Sequence, residues 1–453
     1  MSLVYNDIMQ VDFPQFVSII LHKFERAGYQ IYIVGGVVRD LLLKRGTGDW
    51  DFTTDATPKQ ILELFPEGFY NNQFGTVGIA HESSPKPYEI TTFRTEHGYA
   101  DKRRPDLVSW GKSLEEDLAR RDFTINAMAL SAAKTTIDPF GGQADIKKKL
   151  IRTVGNPVDR FSEDSLRMVR AIRIATELGF LIEEETFEAI KMHADEIKHV
   201  SWERIRDELF KTLASDYPDE GMKMLNASGL LTYILPELVD AQGVEQKSPG
   251  RHHIYDVYNH SLMALKHCPS PDPMIRLATL LHDIGKIKTR KVTDRGIVTF
   301  YNHEVVGAAM SKNIADRLKL SKKQKDKLWT LVRYHQFTVD ERQTDSAIRR
   351  FIKNVGVENI EDMLALRTGD RLGGGARETS WRLEKFKERL EEVQHQPFSV
   401  RDLAINGKDV MDTLKIKSGP QVGEILNTLF TEVEEDLSRN TREYLLQRVK
   451  ELG

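Results

Sequence analysis

Thiol chemistry is almost absent from this chain, which has one cysteine, Cys268, among 453 residues. A disulfide framework within the chain is thereby excluded, and a reducing compartment fits. Long apolar runs are missing as well; none approaches the roughly 18 residues that a membrane span requires. The opening MSLVYNDIMQVDF has neither the basic start nor the apolar stretch of a secretory signal. Charge of one sign is not in excess either. With 65 basic against 68 acidic residues the net charge is −3, so a basic surface over the whole chain, the usual footprint of nucleic-acid binding, is ruled out. These absences lead to the expectation of a soluble cytoplasmic protein with no membrane contact and no obligate protein partner. The length requires several domains, since single cores rarely grow past about 250–300 residues.

What is present is unevenly spread. Lys147 to Arg173 holds eight Lys or Arg against three acids, and Lys312 to Lys327 holds seven against two. Such segments either attract a phosphate backbone or are solvated helix faces. Short β-branched runs at Gln30–Val34, Asp49–Thr53 and Tyr88–Thr92, punctuated by Gly and Pro, predict strands. From about Ile151 onward helical spacing takes over, as in Asp164–Leu178 with Leu166, Val169, Ile172 and Ala175. Ile275–Leu281, Ile348–Leu366 and Val422–Leu437 read as helices too. The expected fold class is α+β, a mixed-sheet head followed by a long helical neck, body and tail.

The most informative stretch is Tyr32–Phe52, YIVGGVVRDLLLKRGTGDWDF. A strand runs into Gly35–Gly36, where the backbone can approach a ligand closely. The helix that follows offers free N–H groups to a triphosphate, and Arg39 adds a charge-assisted contact. Asp49 and Asp51 flank Trp50. On a strand both carboxylates face one side while Trp50 turns into the core. Paired hard oxygens suit Mg²⁺, which also takes waters and substrate phosphates. Each feature alone is ordinary; the combination, with 12 residues between Gly36 and Asp49, resembles the polymerase-beta-type nucleotidyltransferase superfamily. That resemblance implies metals held by Asp49 and Asp51 that activate a 3′-hydroxyl and stabilise pyrophosphate. Glu89 in YEITTFR is either the third carboxylate or the structural partner of a nearby Arg.

Further blocks follow in order: Glu115–Leu130 (EEDLARRDFTINAMAL), Ile137–Ile146 (IDPFGGQADI), Arg160–Arg173 (RFSEDSLRMVRAIR) and Ser201–Leu213 (SWERIRDELFKTL). With the Gly-Gly/DWD segment they resemble the ordered motifs of class II CCA-adding enzymes and bacterial poly(A) polymerases, over nearly the whole chain. The resemblance implies tRNA, CTP and ATP as partners, and nucleotide contacts from Gly35, Gly36, Arg39, Arg121, Asp164, Arg167, Arg170 and Arg173. Asp164 and Arg167, at i and i+3, lie side by side on a helix. They form either a surface ion pair or a base reader. A carboxylate only accepts and a guanidinium only donates hydrogen bonds, which suits the amino and ring-acceptor edges of C and A and opposes the carbonyls of U and G. The loop Thr95–Leu107 resembles one that CC-only relatives lack. Its presence speaks against CC-only activity, leaving full CCA addition, with A-only addition and a poly(A) polymerase as alternatives.

His260, His282–Asp283 and Asp370 follow the H…HD…D order of the HD phosphohydrolase superfamily. Imidazoles with carboxylates suit Mg²⁺, Mn²⁺ or Ni²⁺, and His303 and His335 extend the set toward two ions. The resemblance is to CCA-adding enzymes whose HD domain hydrolyses phosphate esters, including 2′,3′-cyclic phosphates. An HD phosphohydrolase with an RNA-binding head is the alternative of another class. Near the end, Gly419-Pro420 opens a helix, either as a plain cap or to meet an RNA phosphate. The expected divisions are a head at 1–150, a neck at 151–215, an HD-containing body at 216–372 and a tRNA-binding tail at 373–453.

Overall fold

The computed structural model describes residues 5–8, 11–70, 75–97, 107–110, 113–246, 255–337, 339, 343–376, 380–394 and 400–453. They form two compact units, Met1–Val239 and Asp240–Gly453.

The first unit is built on strands β1 (Tyr5–Ile8), β2 (Ile31–Val34), β3 (Asp51–Thr54), β4 (Phe69–Tyr70), β5 (Thr76–Ile79), β6 (Tyr88–Thr92), β7 (Arg94–His97), β8 (Leu107–Trp110), β9 (Ala129–Leu130) and β10 (Thr135–Ile137). Eight of them form one sheet in the order β1-β10-β9-β2-β3-β6-β5-β4, and β7 pairs with β8 apart from it. Only β3 and β6 run parallel within that sheet; its other pairs are antiparallel. The β-branched run of β2 buries Ile31, Ile33 and Val34, and the helix Gln15–Arg26 lays Val17, Ile20, Leu21 and Phe24 on the same core. Trp50 belongs to that core, as expected, with Phe13 at its edge. The strand itself, however, starts at Asp51 and not at Asp49. Pairing with β2 ends at Val34↔Asp51, because β2 there turns into Gly35, so Asp49 and Trp50 precede the ladder.

The neck is helical, with Pro157–Glu163, Leu166–Leu178 and Trp202–Ala214. The helix expected from Asp164 begins two residues later. Asp164 is extended (φ −150°), and its side chain accepts a hydrogen bond from the Leu166 amide at 3.2 Å. That local bond competes with helix continuation. Nor is the chain purely helical after residue 151. Leu150–Ile151 pairs with Leu181–Ile182, and Lys291–Val292 with Val298–Thr299.

In the second unit, helices Val257–Lys266, Pro273–Leu281, His303–Arg317, Lys322–Tyr334 and Ile360–Gly373 surround a histidine cluster. The single helix expected over Ile348–Leu366 is two, Asp345–Val355 and Ile360–Gly373, broken at Gly356. Leu403, Val410, Leu429, Phe430 and Val449 form a further apolar core toward the end. Among the described residues no helix is long and apolar enough to cross a membrane.

Candidate functional site

In the head, β2 runs into Gly35, whose φ of +82° favours glycine. The turn starts the seven-residue helix Gly36–Leu42. A side chain at Gly35 would meet Arg121 Nη1 at 3.3 Å, so the glycine also makes room for that guanidinium. The parallel register pairs Asp51 with Glu89 across β3 and β6. Burial and then the neighbouring Asp49 push the Asp51 carboxyl up to about 6, with Glu89 adding to the effect and Arg121 opposing it. Asp49 is more exposed and lies 3.4 Å from Lys86 Nζ. Among the described residues Asp49, Asp51 and Glu89 do not form a group with all their ligand atoms within 4.8 Å of one another. The donor set nonetheless fits a hard divalent cation: oxygen ligands, one of them with its pKa raised by burial and by a neighbouring carboxylate.

Asp51 and Glu89 line a cleft of about 410 Å³ together with Arg94, Arg120, Arg121, Arg167 and Arg170. Buried acids hold this bank in place. Burial opposes ionisation of Asp117, yet Arg120 and Arg121 keep its carboxyl below the usual range. Asp122 behaves alike through Arg170 and Arg167. Arg170 lies 3.2 Å from Asp122 and 3.4 Å from Glu208. Among the described residues Arg121 Nε is buried without a hydrogen-bond partner.

Six expected residues stand apart from the cleft lining, namely Gly35, Gly36, Asp49, Arg39, Arg173 and Asp164. Arg39 lies over Gly36 but donates to Asp40 and Asn126, at 2.9 and 2.8 Å. Arg173 pairs with Glu177 and Glu208. Asp164 is gripped by both terminal nitrogens of Arg204, at 3.2 and 2.7 Å. Arg167 pairs with Glu163 and donates to the carbonyls of Arg160 and Arg120. Among the described residues no ion pair joins Asp164 to Arg167, so the surface-pair alternative is absent; each is fixed by a different partner. Arg204, Glu163, Asp122 and Glu208 were missed as positioning groups although all lie inside the quoted motifs. Their signal was an acid or base of opposite sign to a cleft residue. Residues 98–106 of the Thr95–Leu107 loop lie outside the described residues.

The second unit gathers two groups with metal-ligand spacing, His260, His282 and Asp283, and Asp283, His303 and His335, each with its donor atoms within 4.8 Å. Asp283 is common to both. Asp370 Oδ1 lies 3.2 Å from His260 Nε2 and 3.5 Å from His282 Nε2. The Nδ1 atoms of His282, His303 and His335 lie 2.7, 2.9 and 2.8 Å from the carbonyls of Thr279, Phe300 and Val332. Carbonyls only accept, so each Nδ1 carries a proton and each ring turns its Nε2 inward, the tautomer that metal-ligating histidines use. Burial opposes charge on His282, but Asp283 pushes its pKa up to about 10. Asp283 in turn is held well below the usual carboxylate range, against its burial, by Lys286 and His282. Gly285 lets the two groups meet, since a Cβ there would stand 2.0 Å from the His303 carbonyl oxygen.

Acidic strand ends set against a bank of arginines are what a nucleotidyl-transferring head needs, and fold and cleft place the first unit in that class. The Poly A polymerase head domain family matches residues 31–152, the RNA- and SrmB-binding site of polymerase A matches 179–242, and domain 2 of tRNA nucleotidyltransferases matches 298–449. The CCA-adding enzyme of Geobacillus stearothermophilus is 33% identical over 426 residues, covering 94% of this chain and 93% of that protein. The chain belongs to the family of CCA-adding enzymes. The Geobacillus kaustophilus member is 46% identical over 227 residues, so that the chain spans about half the length (55%) of that relative. A crystal structure of the Bacillus stearothermophilus CCA-adding enzyme in complex with CTP superposes with a TM-score of 0.72 at 30% identity, covering 96% of both chains.

Proposed function

We propose that the chain adds C, C and A to the 3′ end of tRNA from CTP and ATP, without a nucleic-acid template and with release of pyrophosphate. The observation that carries this reading is the cleft in which Asp51 and Glu89 face Arg121, Arg167 and Arg170, in a chain with full-length similarity to CCA-adding enzymes. Asp49, Asp51 and Glu89 would hold Mg²⁺, which supplies charge stabilisation at the reacting phosphate when bound. Gly35 and Gly36 let the triphosphate approach the backbone, Arg39 and Arg121 meet phosphate or ribose, Arg170 contacts the nucleotide, and Arg173 acts beside it through Glu208, the acid that both arginines share. Asp164, oriented by Arg204, accepts from the amino group of C or A and repels the carbonyl of U or G; Arg167 donates to the ring acceptor beside it. The head (1–150) carries the chemistry, the neck (151–215) base choice, and the tail (373–453) tRNA contact, in part through Gly419-Pro420.

We propose for the body (216–372) a separate, metal-dependent phosphohydrolase site. Three histidines locked at Nδ1 around the shared Asp283 support it, with Mg²⁺, Mn²⁺ or Ni²⁺ as the ions. The head reading is tested by offering CTP and ATP to tRNAs that end before CCA, after C and after CC, and sizing the products. Growth by three, two and one nucleotides supports full CCA addition; extension of the CC-ended tRNA alone would replace it with A-only addition.

A further inference from the structure

The body site has a ligand-facing half that the metal ligands do not explain. A cavity of about 470 Å³ opens beside Asp283, and Lys286, Gln246 and Tyr301 line it. Lys286 is buried, 8% exposed, and its ammonium donates to Asp283 Oδ2 and Gln246 Oε1, each at 2.6 Å. That carboxylate oxygen is also the one nearest His260 and His282, at 3.5 and 3.3 Å. A divalent ion and an ammonium on one oxygen repel each other, so a bound ion would loosen the hold of Asp283 on Lys286, whose ammonium already lines the cavity and suits an anion there.

The rim points to the rest of the ligand. Tyr301 is the most exposed large hydrophobic side chain among the described residues, at 79%. It sits on a braced turn: the His303 amide and Nδ1 both bond the Phe300 carbonyl, at 3.2 and 2.9 Å, and Asn302 is left-handed (φ 60°). Phe300, its neighbour, lies under Lys286 with its ring centre 5.5 Å from Nζ. An aromatic face held in water, on the rim of the cavity that a buried ammonium also lines, matches a ligand with a flat base at one end and a phosphate at the other. We propose that Tyr301 and Lys286 are the specificity-determining pair of the body site, Tyr301 stacking the base of a nucleotide whose phosphate is held by Lys286. This rests on the phosphohydrolase reading of that site.

The test uses the full chain loaded with Mn²⁺, its metal content measured for each variant, and calorimetric titration with inorganic phosphate and with cytidine 5′-monophosphate. Nucleotide bound by Asp283→Ala is assigned to the head and subtracted. Tyr301→Ala should weaken the nucleotide by about tenfold, the size expected for one base stacked on one ring, and leave phosphate unchanged. Tyr301→Phe should bind as wild type does, and Lys286→Met should weaken both ligands with metal content retained. Equal nucleotide affinity in Tyr301→Ala and wild type would overturn the proposal, even with normal phosphate binding and normal cleavage of p-nitrophenyl phosphate. Binding of neither ligand by the metal-loaded chain would instead bring down the phosphohydrolase reading beneath it. Competition by a short RNA with a 3′-phosphate separates an RNA end from a free nucleotide; tighter binding of either supports the same chemistry.

Discussion

Asp51→Asn should destroy nucleotide addition and at the same time stabilise the metal-free protein. The carboxyl is pushed from 3.8 to about 6 by burial and by Asp49, so the folded chain holds its proton more tightly than the unfolded chain does. The sign follows directly: the stability contributed by this group is fully present below about pH 4 and is lost as pH rises through about 6. At pH 8 the ionised carboxylate therefore costs on the order of 3 kcal/mol relative to a neutral group. Asparagine, of the same shape and without charge, removes that cost. Urea unfolding of the full, metal-stripped chain at pH 8 should show the variant more stable by about that amount, and at pH 4 the two proteins should converge. Mg²⁺ should narrow the gap by stabilising the wild type. Asp49→Ala, at the exposed carboxylate beside Lys86, should likewise abolish addition, with a smaller pH-dependent gain, because removing its charge relieves only part of the upward push on Asp51. Equal stabilities at pH 8, or retained incorporation in either variant, would refute the proposed charge balance of the head.

Two further outcomes follow from the neck and the body. Asp164→Ala should raise UTP and GTP misincorporation relative to CTP and ATP by roughly ten- to a hundred-fold, the range for losing a bidentate base contact. Arg204→Ala should do the same more weakly, and single-nucleotide addition to tRNAs at each stage of CCA checks both; a uniform rate loss with unchanged ratios would make Asp164 purely structural. His282→Ala should lose bound metal and any phosphohydrolase activity while nucleotide addition proceeds, measured as metal content and the two activities side by side. Loss of both activities in a folded variant would contradict separate sites.

The head was legible because its chemistry depends on residue types at fixed short spacings, so Gly35, Asp51 and the second arginine of ARRDFT could be placed before any fold was known. The neck was legible only in composition. Helical spacing set Asp164 and Arg167 side by side, but a two-residue interruption, caused by one side-chain-to-backbone bond at Leu166, gives each a separate partner. The partner of Asp164 is 40 residues away, and periodicity contains nothing about such a distance. Arg39 and Arg173 illustrate the same limit, since whether an arginine faces a cleft or a neighbouring acid is decided by packing between elements. In the body the H…HD…D order was readable, whereas the sharing of Asp283 between two groups depends on how four helices converge.

Gly285 gives the body site a property that its ligands cannot. The separation between the half that carries His282 and the half that carries His303 is set by backbone touching backbone at that glycine. The same contact makes that separation unadjustable: one methyl group at residue 285 would wedge the halves apart, with no rotamer able to absorb the intrusion.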